Sequence, residues 1–198
     1  MEKKTDIRVA RTRKYLRRSL LDLMSEKPLD EITVKELAER AEVARGTFYL
    51  YYDSIPEMLE RISDELYSAF IDQTRSILTR DLDFPTTCRE LIYCPFSDEE
   101  DLRAFGKLLR SGTINQQTIV RAINAIKEDV SKVFTVDVDD SELVYIHDFI
   151  ASGIASTITR WVETTPPDRP FHEIADLVFT VFYKSCNFFT RPRRIQAP

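Results

Sequence analysis

The sequence predicts an all-α protein in which a small three-helix N-terminal domain precedes a larger helical domain. Apolar residues recur at helical spacing along most of the 198-residue chain, and no alternating strand pattern is visible. The chain has only four glycines, whereas sheet proteins use glycine in their turns. A change in charge along the chain agrees with two predicted domains, residues 1–55 and 56–198.

Charge is distributed unevenly along the chain, whose net charge is -5. Residues 1–18 hold eight basic against two acidic side chains, a local net charge of +6, while residues 56–198 carry -7. A basic end on an acidic body permits local binding to a polyanion. The basic residues of this N-terminal segment are Lys3, Lys4, Arg8, Arg11, Arg13, Lys14, Arg17 and Arg18.

Composition argues against a metal site, a membrane span and an enzyme. Cys88, Cys94 and Cys186 form no closely spaced pair, so a reducing compartment and apolar core roles are expected for them. No secretory h-region and no run of about 18 apolar residues occurs, which predicts a soluble, cytoplasmic protein. No phosphate loop, nucleophile elbow or zinc-binding motif is present. We therefore expect no catalytic residue, metal or cofactor.

The first predicted element is a helix over residues 7–26. It ends because Pro28 lacks a backbone donor and biases its predecessor out of the α region. Arginines occupy its exposed side. Its buried stripe consists of Leu16, Leu20, Leu23 and Met24.

Two shorter helices follow, and a capping box opens the first of them. The Thr33 hydroxyl is expected to accept from the Glu36 N–H while the Glu36 carboxylate accepts from the Thr33 N–H. A third helix is predicted from about Arg45 to Tyr52, with Phe48 and Tyr52 inward. The apolar residues predicted to be buried in the second helix are Val34, Leu37, Ala38 and Ala41.

The remaining chain is predicted to be helical, beginning with a second capping box from Ser54 to Glu57. It starts a long helix from Pro56 to about Arg80, with proline tolerated in the first turn. A loop is expected between residues 164 and 169. Further helices are predicted near residues 86–94, 98–111, 115–134, 141–163 and 170–189.

Residues 33–52 have the pattern of a helix-turn-helix, whose second helix lies in the major groove of DNA. Arg45 suits bidentate contact with guanine, Gly46 allows close backbone approach, and Leu50 suits a thymine methyl. Hydroxyls in the second helix suit phosphates. The predicted DNA-contacting residues are Thr33, Lys35, Arg45, Gly46, Thr47, Tyr49, Leu50 and Tyr51. The alternative is a plain helical hairpin, which explains neither the exposed aromatics nor the arginine-rich helix.

The segment from Thr33 to Tyr49, TVKELAERAEVARGTFY, resembles the DNA-binding domain of tetracycline-repressor-type (TetR-family) regulators. The resemblance covers roughly residues 8–60. It implies a homodimer that forms through the last two helices and binds a double-stranded, pseudo-palindromic operator. It also implies an effector of unidentified chemistry in the C-terminal domain, and repression rather than activation.

Two residues depart from the family pattern. Ile55 stands where the family usually has a lysine, and loss of a phosphate contact weakens binding fairly evenly across sequences. Glu42 stands where glycine is frequent, so a positive φ there costs on the order of 1 kcal/mol. Similar substitutions occur in members resembling the dihydroxyacetone kinase operon activators. The alternative function is therefore a co-regulator of the same fold that does not bind DNA.

The C-terminal domain carries two further expectations. Small residues beside an apolar stripe predict a two-fold helix interface, with ordinary core as the alternative. That stripe consists of Leu143, His147, Ile150, Ile154 and Trp161, facing Ile174, Val178, Val181 or Phe182, and Ser185. An effector pocket is predicted to be lined by aromatics, again with plain core as the alternative. Its candidate residues are Phe70, Phe105, Tyr145, Phe149 and Phe179.

Overall fold

The structure, a computed structural model, confirms the all-α class. It describes residues 2–93, 99–133, 135–136, 139–164, 169–186 and 190–191. Within those ranges the chain forms ten α-helices, one short 3-10 turn and one pair of two-residue strands. Strands this short leave no alternating pattern in a sequence, which is why they were not predicted.

Three helices form the N-terminal part of the chain. The first, α1 (Glu2–Glu26), begins before the predicted start at residue 7, and a 3-10 turn at Leu29–Glu31 follows it. The second and third are α2 (Val34–Arg40) and α3 (Arg45–Tyr49). The last of these ends three residues before the predicted Tyr52.

The remaining helices follow the predicted order with one correction. The predicted single helix over 115–134 is two helices, which meet at the buried Ile126, whose N–H bonds to the carbonyl of Ile123. This three-residue bond tightens the last turn and interrupts the helix without a proline or glycine. The helices are α4 (Ile55–Leu78), α5 (Phe84–Tyr93), α6 (Glu99–Arg110), α7 (Gln116–Ala125), α8 (Lys127–Val133), α9 (Asp140–Glu163) and α10 (Phe171–Cys186).

The two strands are β1 (Thr135–Val136) and β2 (Thr190–Arg191). They pair antiparallel, with Thr135 opposite Arg191 and Val136 opposite Thr190. Residues 94–98 and 187–189, where parts of predicted helices and Cys94 fall, lie outside the described residues, as do residues 165–168 of the predicted loop.

The chain divides into two compact units. The first consists of Met1–Glu65 and Arg103–Thr113, and the second of Leu66–Leu102 and Ile114–Pro198. The predicted boundary between residues 55 and 56 stays a prediction.

The core of the first unit confirms the predicted stripe of α1. Leu16, Leu20 and Leu23 are fully buried, while Met24 is half-buried. Leu37 of α2 and Phe48 of α3 are also fully buried. The apolar sides of all three helices therefore share one core, which fixes the short α3 despite its five residues.

The core of the second unit uses small residues of α9. Ala151 and Ala155 are fully buried, and α9 packs against α7 and α10. Because an alanine side chain adds little bulk, these positions let a neighbouring helix of the same chain approach closely. The small residues of α9 thus serve the intrachain core as well as its exposed side, where Ser152 and Gly153 lie.

Candidate nucleic-acid interface

The second helix begins at the predicted threonine cap, but the predicted box is only half formed. Thr33 Oγ1 accepts from the Glu36 N–H at 3.2 Å. The Glu36 carboxylate does not reach back to the Thr33 N–H, because it accepts from the Lys27 ammonium instead. Thr33 therefore fixes the start of α2, while Glu36 ties α2 to the end of α1.

The turn between α2 and α3 is built around Glu42. This residue has φ +54°, the one positive φ at a non-glycine residue in the described part of the chain. The Val43 N–H donates to the Ala38 carbonyl at 2.9 Å, and the Glu42 N–H donates to the Glu39 carbonyl at 3.1 Å. This is a Schellman ending, in which glycine is usual because a side chain is strained there.

The third helix is held by two buried rings, as predicted. Phe48 is fully buried, Tyr52 is 4% exposed, and their ring centroids lie 5.6 Å apart. The Arg13 guanidinium also donates to the Tyr52 hydroxyl at 3.4 Å, and this bond is the main reason that the pKa of Arg13 is raised above its ordinary value. The inward side of α3 is thereby fixed to α1.

The outward side of α3 forms a surface that we call the recognition surface: Arg45, Gly46, Tyr49 and Leu50. Tyr49 is 46% exposed and Leu50 is 76% exposed. Arg45 and Gly46 are exposed as well, and no heavy atom lies within 4 Å of a Cβ built on Gly46. Apolar groups this exposed mark a surface that meets a partner.

Two predicted contact residues lie at the edge of this surface rather than on it. Thr47 and Tyr51 are half-buried and line a cleft of about 420 Å³ beside α1. The remaining residues of the cleft are Arg8, Val9, Thr12, Glu42, Val43, Ala44 and Leu50. The cleft thus brings α1, the turn and α3 together, with one cation and one carboxylate on its walls.

The other two predicted contact residues belong to α2. Thr33 is exposed, and its hydroxyl oxygen is used in the cap. The Lys35 side chain is 76% exposed, and its ammonium lies 3.9 Å from the Glu39 carboxylate. Such an exposed pair contributes little to stability, so it leaves the ammonium available to a phosphate.

Ion pairs within the unit use part of the basic charge of α1. Arg13 and Arg17 lie 2.5 Å and 3.8 Å from the carboxylate of Glu65 in α4. Arg11 instead donates to the Tyr15 hydroxyl, at 3.0 Å from Nη2, and both residues are exposed. From the sequence alone, each of these arginines counts as one positive charge, because an ion pair that forms only in the folded chain leaves no local pattern in the sequence.

Ile55 has a different role from the one that the family resemblance suggested. It is 6% exposed and belongs to the core of the first unit. Burial of an isoleucine side chain of this size stabilises a fold by about 1.5–3 kcal/mol. The departure from the family's lysine is therefore a core substitution in this chain and not simply a missing surface charge.

The five predicted pocket residues are divided between the two units. Phe105 belongs to the first unit, and the other four belong to the second. Phe70, Phe105 and Phe179 are half-buried, whereas Tyr145 and Phe149 are each 77% exposed. Tyr145 and Phe149 lie on the outer side of α9, and the effector pocket stays a prediction.

The last two helices expose five large apolar side chains, which we call the C-terminal apolar face. They are Val144, Tyr145 and Phe149 of α9 and Leu177 and Val181 of α10. Ile150, Ile154 and Trp161 of the predicted seam are half-buried within the single chain, and the seam itself stays a prediction. The side chains of Leu143 and Ser185, also in that prediction, lie outside the described residues.

Neither a membrane-spanning helix nor a group of metal ligands occurs among the described residues. None of their helices has both the length and the apolar composition that crossing a bilayer requires. Among the same residues, no three histidine, cysteine, aspartate or glutamate side chains group as metal ligands.

A capped helix, a tight turn and a short exposed helix beside a basic helix define the class of helix-turn-helix DNA-binding proteins. Residues 18–62 match the bacterial regulatory proteins of the tetR family. This match covers the helix-turn-helix segment, so this part of the chain is similar to the DNA-binding domain of tetR-family transcriptional regulators.

Individual relatives agree with this assignment. An uncharacterized HTH-type transcriptional regulator of Bacillus subtilis strain 168, YvdT, is 35% identical over 72 residues, which is 36% of this chain and 37% of YvdT. The sequence match thus spans little more than a third of that relative. Among solved structures, the dihydroxyacetone kinase operon activator DhaS has a TM-score of 0.67 at 15% identity, covering 91% of this chain and 98% of its own.

A second solved structure shares the fold. A gamma-butyrolactone receptor, described as ArpA-like, has a TM-score of 0.56 at 14% identity and covers 90% of this chain and 99% of its own. At these identities the two structures establish the fold over most of the chain and nothing finer.

Proposed function

We propose that the protein is a homodimeric repressor that binds a pseudo-palindromic DNA operator, and that a small molecule raises or lowers its affinity for that operator. DNA binding is assigned to residues 1–55, and effector binding with dimerisation to residues 56–198. The observation that carries the proposal is the recognition surface, where an arginine, an open glycine and two exposed apolar side chains lie on one short helix. A DNA operator places the site of action in the cytoplasm.

Each residue of the recognition surface has a chemical role in this proposal. Arg45 donates two hydrogen bonds to a guanine, and Leu50 meets a thymine methyl. Gly46 lets the backbone of α3 approach the DNA closely. The proposed phosphate contacts, which set register without reading sequence, come from Thr33, Lys35, Thr47, Tyr49 and Tyr51.

The C-terminal apolar face supports the proposed homodimer. Tyr145 and Phe149 are four residues apart on α9 and equally exposed, at 77% each. Exposed aromatics beside aliphatic side chains on two packed helices suit a two-fold four-helix bundle with a second copy. Such a dimer sets two recognition helices about 34–36 Å apart, in successive major grooves.

The proposed effector acts through the states of this dimer. A small molecule shifts DNA affinity only by its difference in affinity between the DNA-competent state and the other state. A solved structure that shares this fold is named a gamma-butyrolactone receptor, and this name supports a small-molecule effector for the present chain. The half-buried Phe70 and Phe179 of the second unit remain the candidate pocket residues.

Binding to the chain's own upstream intergenic DNA tests the proposal. Fluorescence anisotropy at several salt concentrations is expected to show tight, competitor-resistant binding of one dimer per site. Arg45→Ala is expected to relax the preference at one base pair, while Thr47→Ala weakens all sequences alike. Unchanged affinity and base preference in Arg45→Ala would contradict the proposed docking of α3.

A co-regulator that acts through a protein partner is the second candidate. Two observations favour it: the Glu42 carboxylate stands in the cleft beside Arg8, and Ile55 offers no surface cation. The shared fold with a protein named an operon activator agrees with it. Weak binding to DNA without sequence preference, at any salt concentration, would support this candidate against the repressor.

A further inference from the structure

The guanidinium of Arg45 is already held in place when no DNA is present. Arg45 is the first residue of α3, and its Nη2 donates to the Tyr49 hydroxyl at 3.2 Å. Its Cζ lies 5.7 Å from the centroid of the Tyr49 ring. One side chain therefore contacts Arg45 in two ways, by a hydrogen bond and through its π face.

The Tyr49 ring is itself fixed by the core. It stands edge-on to the Phe48 ring, with centroids 5.4 Å apart and planes at 86°. Phe48 is fully buried. An arginine that packs on a ring held by a buried ring has fewer rotamers open to it than an arginine in water, so binding orders it at a lower cost.

The hydrogen bonds leave both residues able to meet DNA. A guanidinium has five N–H donors, so one bond to Tyr49 leaves enough for a bidentate contact with guanine. The Tyr49 hydroxyl oxygen accepts that bond, and its own proton stays available for a phosphate oxygen.

We propose that Tyr49 is a positioning residue, which orients Arg45 for base contact and couples that contact to a phosphate. The inference rests on the proposed function, since it assigns the origin of sequence preference within the same surface. Base preference at the position that Arg45 reads then depends on a residue that touches no base.

The chain contains a matched control. Arg11 and Tyr15 form the same arginine–tyrosine pair four residues apart on α1, with a 3.0 Å hydrogen bond and a Cζ-to-centroid distance of 5.3 Å. Tyr15→Phe removes the same hydroxyl as Tyr49→Phe, from a pair outside the recognition surface. Both tyrosines are partly exposed, so neither substitution disturbs the core.

The experiment measures affinity for an operator set in which every base pair is changed in turn, at three salt concentrations. Tyr49→Phe is expected to lower the preference at the base pair read by Arg45 by about two- to tenfold. It also weakens binding to every operator through the lost phosphate contact, while the salt slope stays as in the wild type because an uncharged hydroxyl releases no counterion. Preferences at other positions stay as in the wild type. Tyr15→Phe leaves every base preference unchanged.

Three further results decide the inference. Tyr49→Phe added to Arg45→Ala is expected to cause no additional loss of preference at that base pair, because the two residues act as one unit. A Tyr49→Phe variant that binds every operator more weakly but keeps the wild-type base preferences overturns the positioning role and leaves the proposed function standing. A wild-type protein with no base preference at any position overturns both.

Discussion

The recognition surface and the C-terminal apolar face both expose large apolar side chains, but their surroundings differ in chemistry. Tyr49 and Leu50 share their surface with Arg45, an open glycine and the basic α1. Tyr145 and Phe149 are neighboured on the outer side of α9 by serine and glycine, and α10 adds Leu177 and Val181. A surface with cations suits a polyanion, and one with aliphatic groups suits another protein.

The exposure of an apolar side chain does not by itself identify the class of partner that binds there. Exposed fractions of 46% at Tyr49 and 77% at Phe149 say only that each side chain lacks cover in a single chain. The charge and hydrogen-bonding capacity of the neighbouring side chains determine which class of partner, nucleic acid or protein, binds the surface. The predictions below test whether the two surfaces bind different classes of partner.

The largest effect is expected from Phe149→Asp. A central aromatic at an interface contributes about 2 kcal/mol or more, and two-fold symmetry counts it twice, so dimerisation weakens by about 4 kcal/mol, or roughly a thousandfold. Sedimentation equilibrium measures the change. The folded monomer persists because Phe149 is 77% exposed. An unchanged dimer constant would mean that this face is not the interface.

Two exposed glycines that lie in helices, Gly46 and Gly153, sharpen the comparison. Neither Gly46 nor Gly153 has a heavy atom within 4 Å of a built Cβ, so alanine fits both in the single chain. Alanine in a helix stabilises it by about 0.5–1 kcal/mol relative to glycine. Thermal unfolding is therefore expected to shift upward for both Gly46→Ala and Gly153→Ala.

Their binding effects are expected to differ. Gly46→Ala blocks close backbone approach and weakens operator binding by about tenfold, a loss of about 1.4 kcal/mol, with the dimer constant unchanged. Gly153→Ala weakens the dimer constant instead, because Gly153 lies on the outer side of α9. Equal effects of the two variants on both constants would remove the distinction between the surfaces.

Glu42 provides a smaller test, with two variants that separate strain from charge. Glu42→Gly is expected to relieve the positive φ and raise the free energy of unfolding by about 1 kcal/mol. Glu42→Gln keeps the strain and removes only the charge, so it tightens DNA binding through weaker repulsion from phosphate without stabilising the fold. Weaker binding by Glu42→Gln would show instead that the carboxylate accepts a hydrogen bond from a base.

The smallest effect is a pH dependence confined to the second unit, which contains both histidines, His147 and His172. Burial, reinforced by Lys127, lowers the pKa of His147 below its ordinary 6.5. Its Nδ1 lies 4.0 Å from the Asp148 carboxylate, too far for a hydrogen bond. The unfolded chain takes up the proton first, so stability is full above about pH 6.5 and falls as the pH drops.

Trp161, the single tryptophan, reports on this unit. Its fluorescence during denaturant unfolding is expected to show a lower midpoint at pH 5.5 than at pH 7.5. His147→Gln should remove most of that difference. An equal difference in the variant would assign the pH dependence to other groups.

The sequence predicted residues 1–55 in more detail than residues 56–198, and the reason is physical. Caps and turns are local, so the Thr33 cap and the inward Phe48 and Tyr52 were accessible from spacing, and the family resemblance pointed to the strain at Glu42. What α9 and α10 bury depends on which neighbours they meet. Periodicity identified the helices but did not indicate that Tyr145 and Phe149 are exposed while much of the predicted seam is half-buried in the single chain.

The pairing of Arg13 and Arg17 with Glu65 changes how the charge of α1 is to be counted. Counterion release on DNA is set by cations that meet phosphates, not by formal charge. Two of the eight basic residues in the first 18 already share one carboxylate of their own chain, which offsets one positive charge. This helix therefore has fewer positive charges available to phosphates than its formal charge suggests. The salt dependence of its DNA binding is expected to be that of a less basic helix.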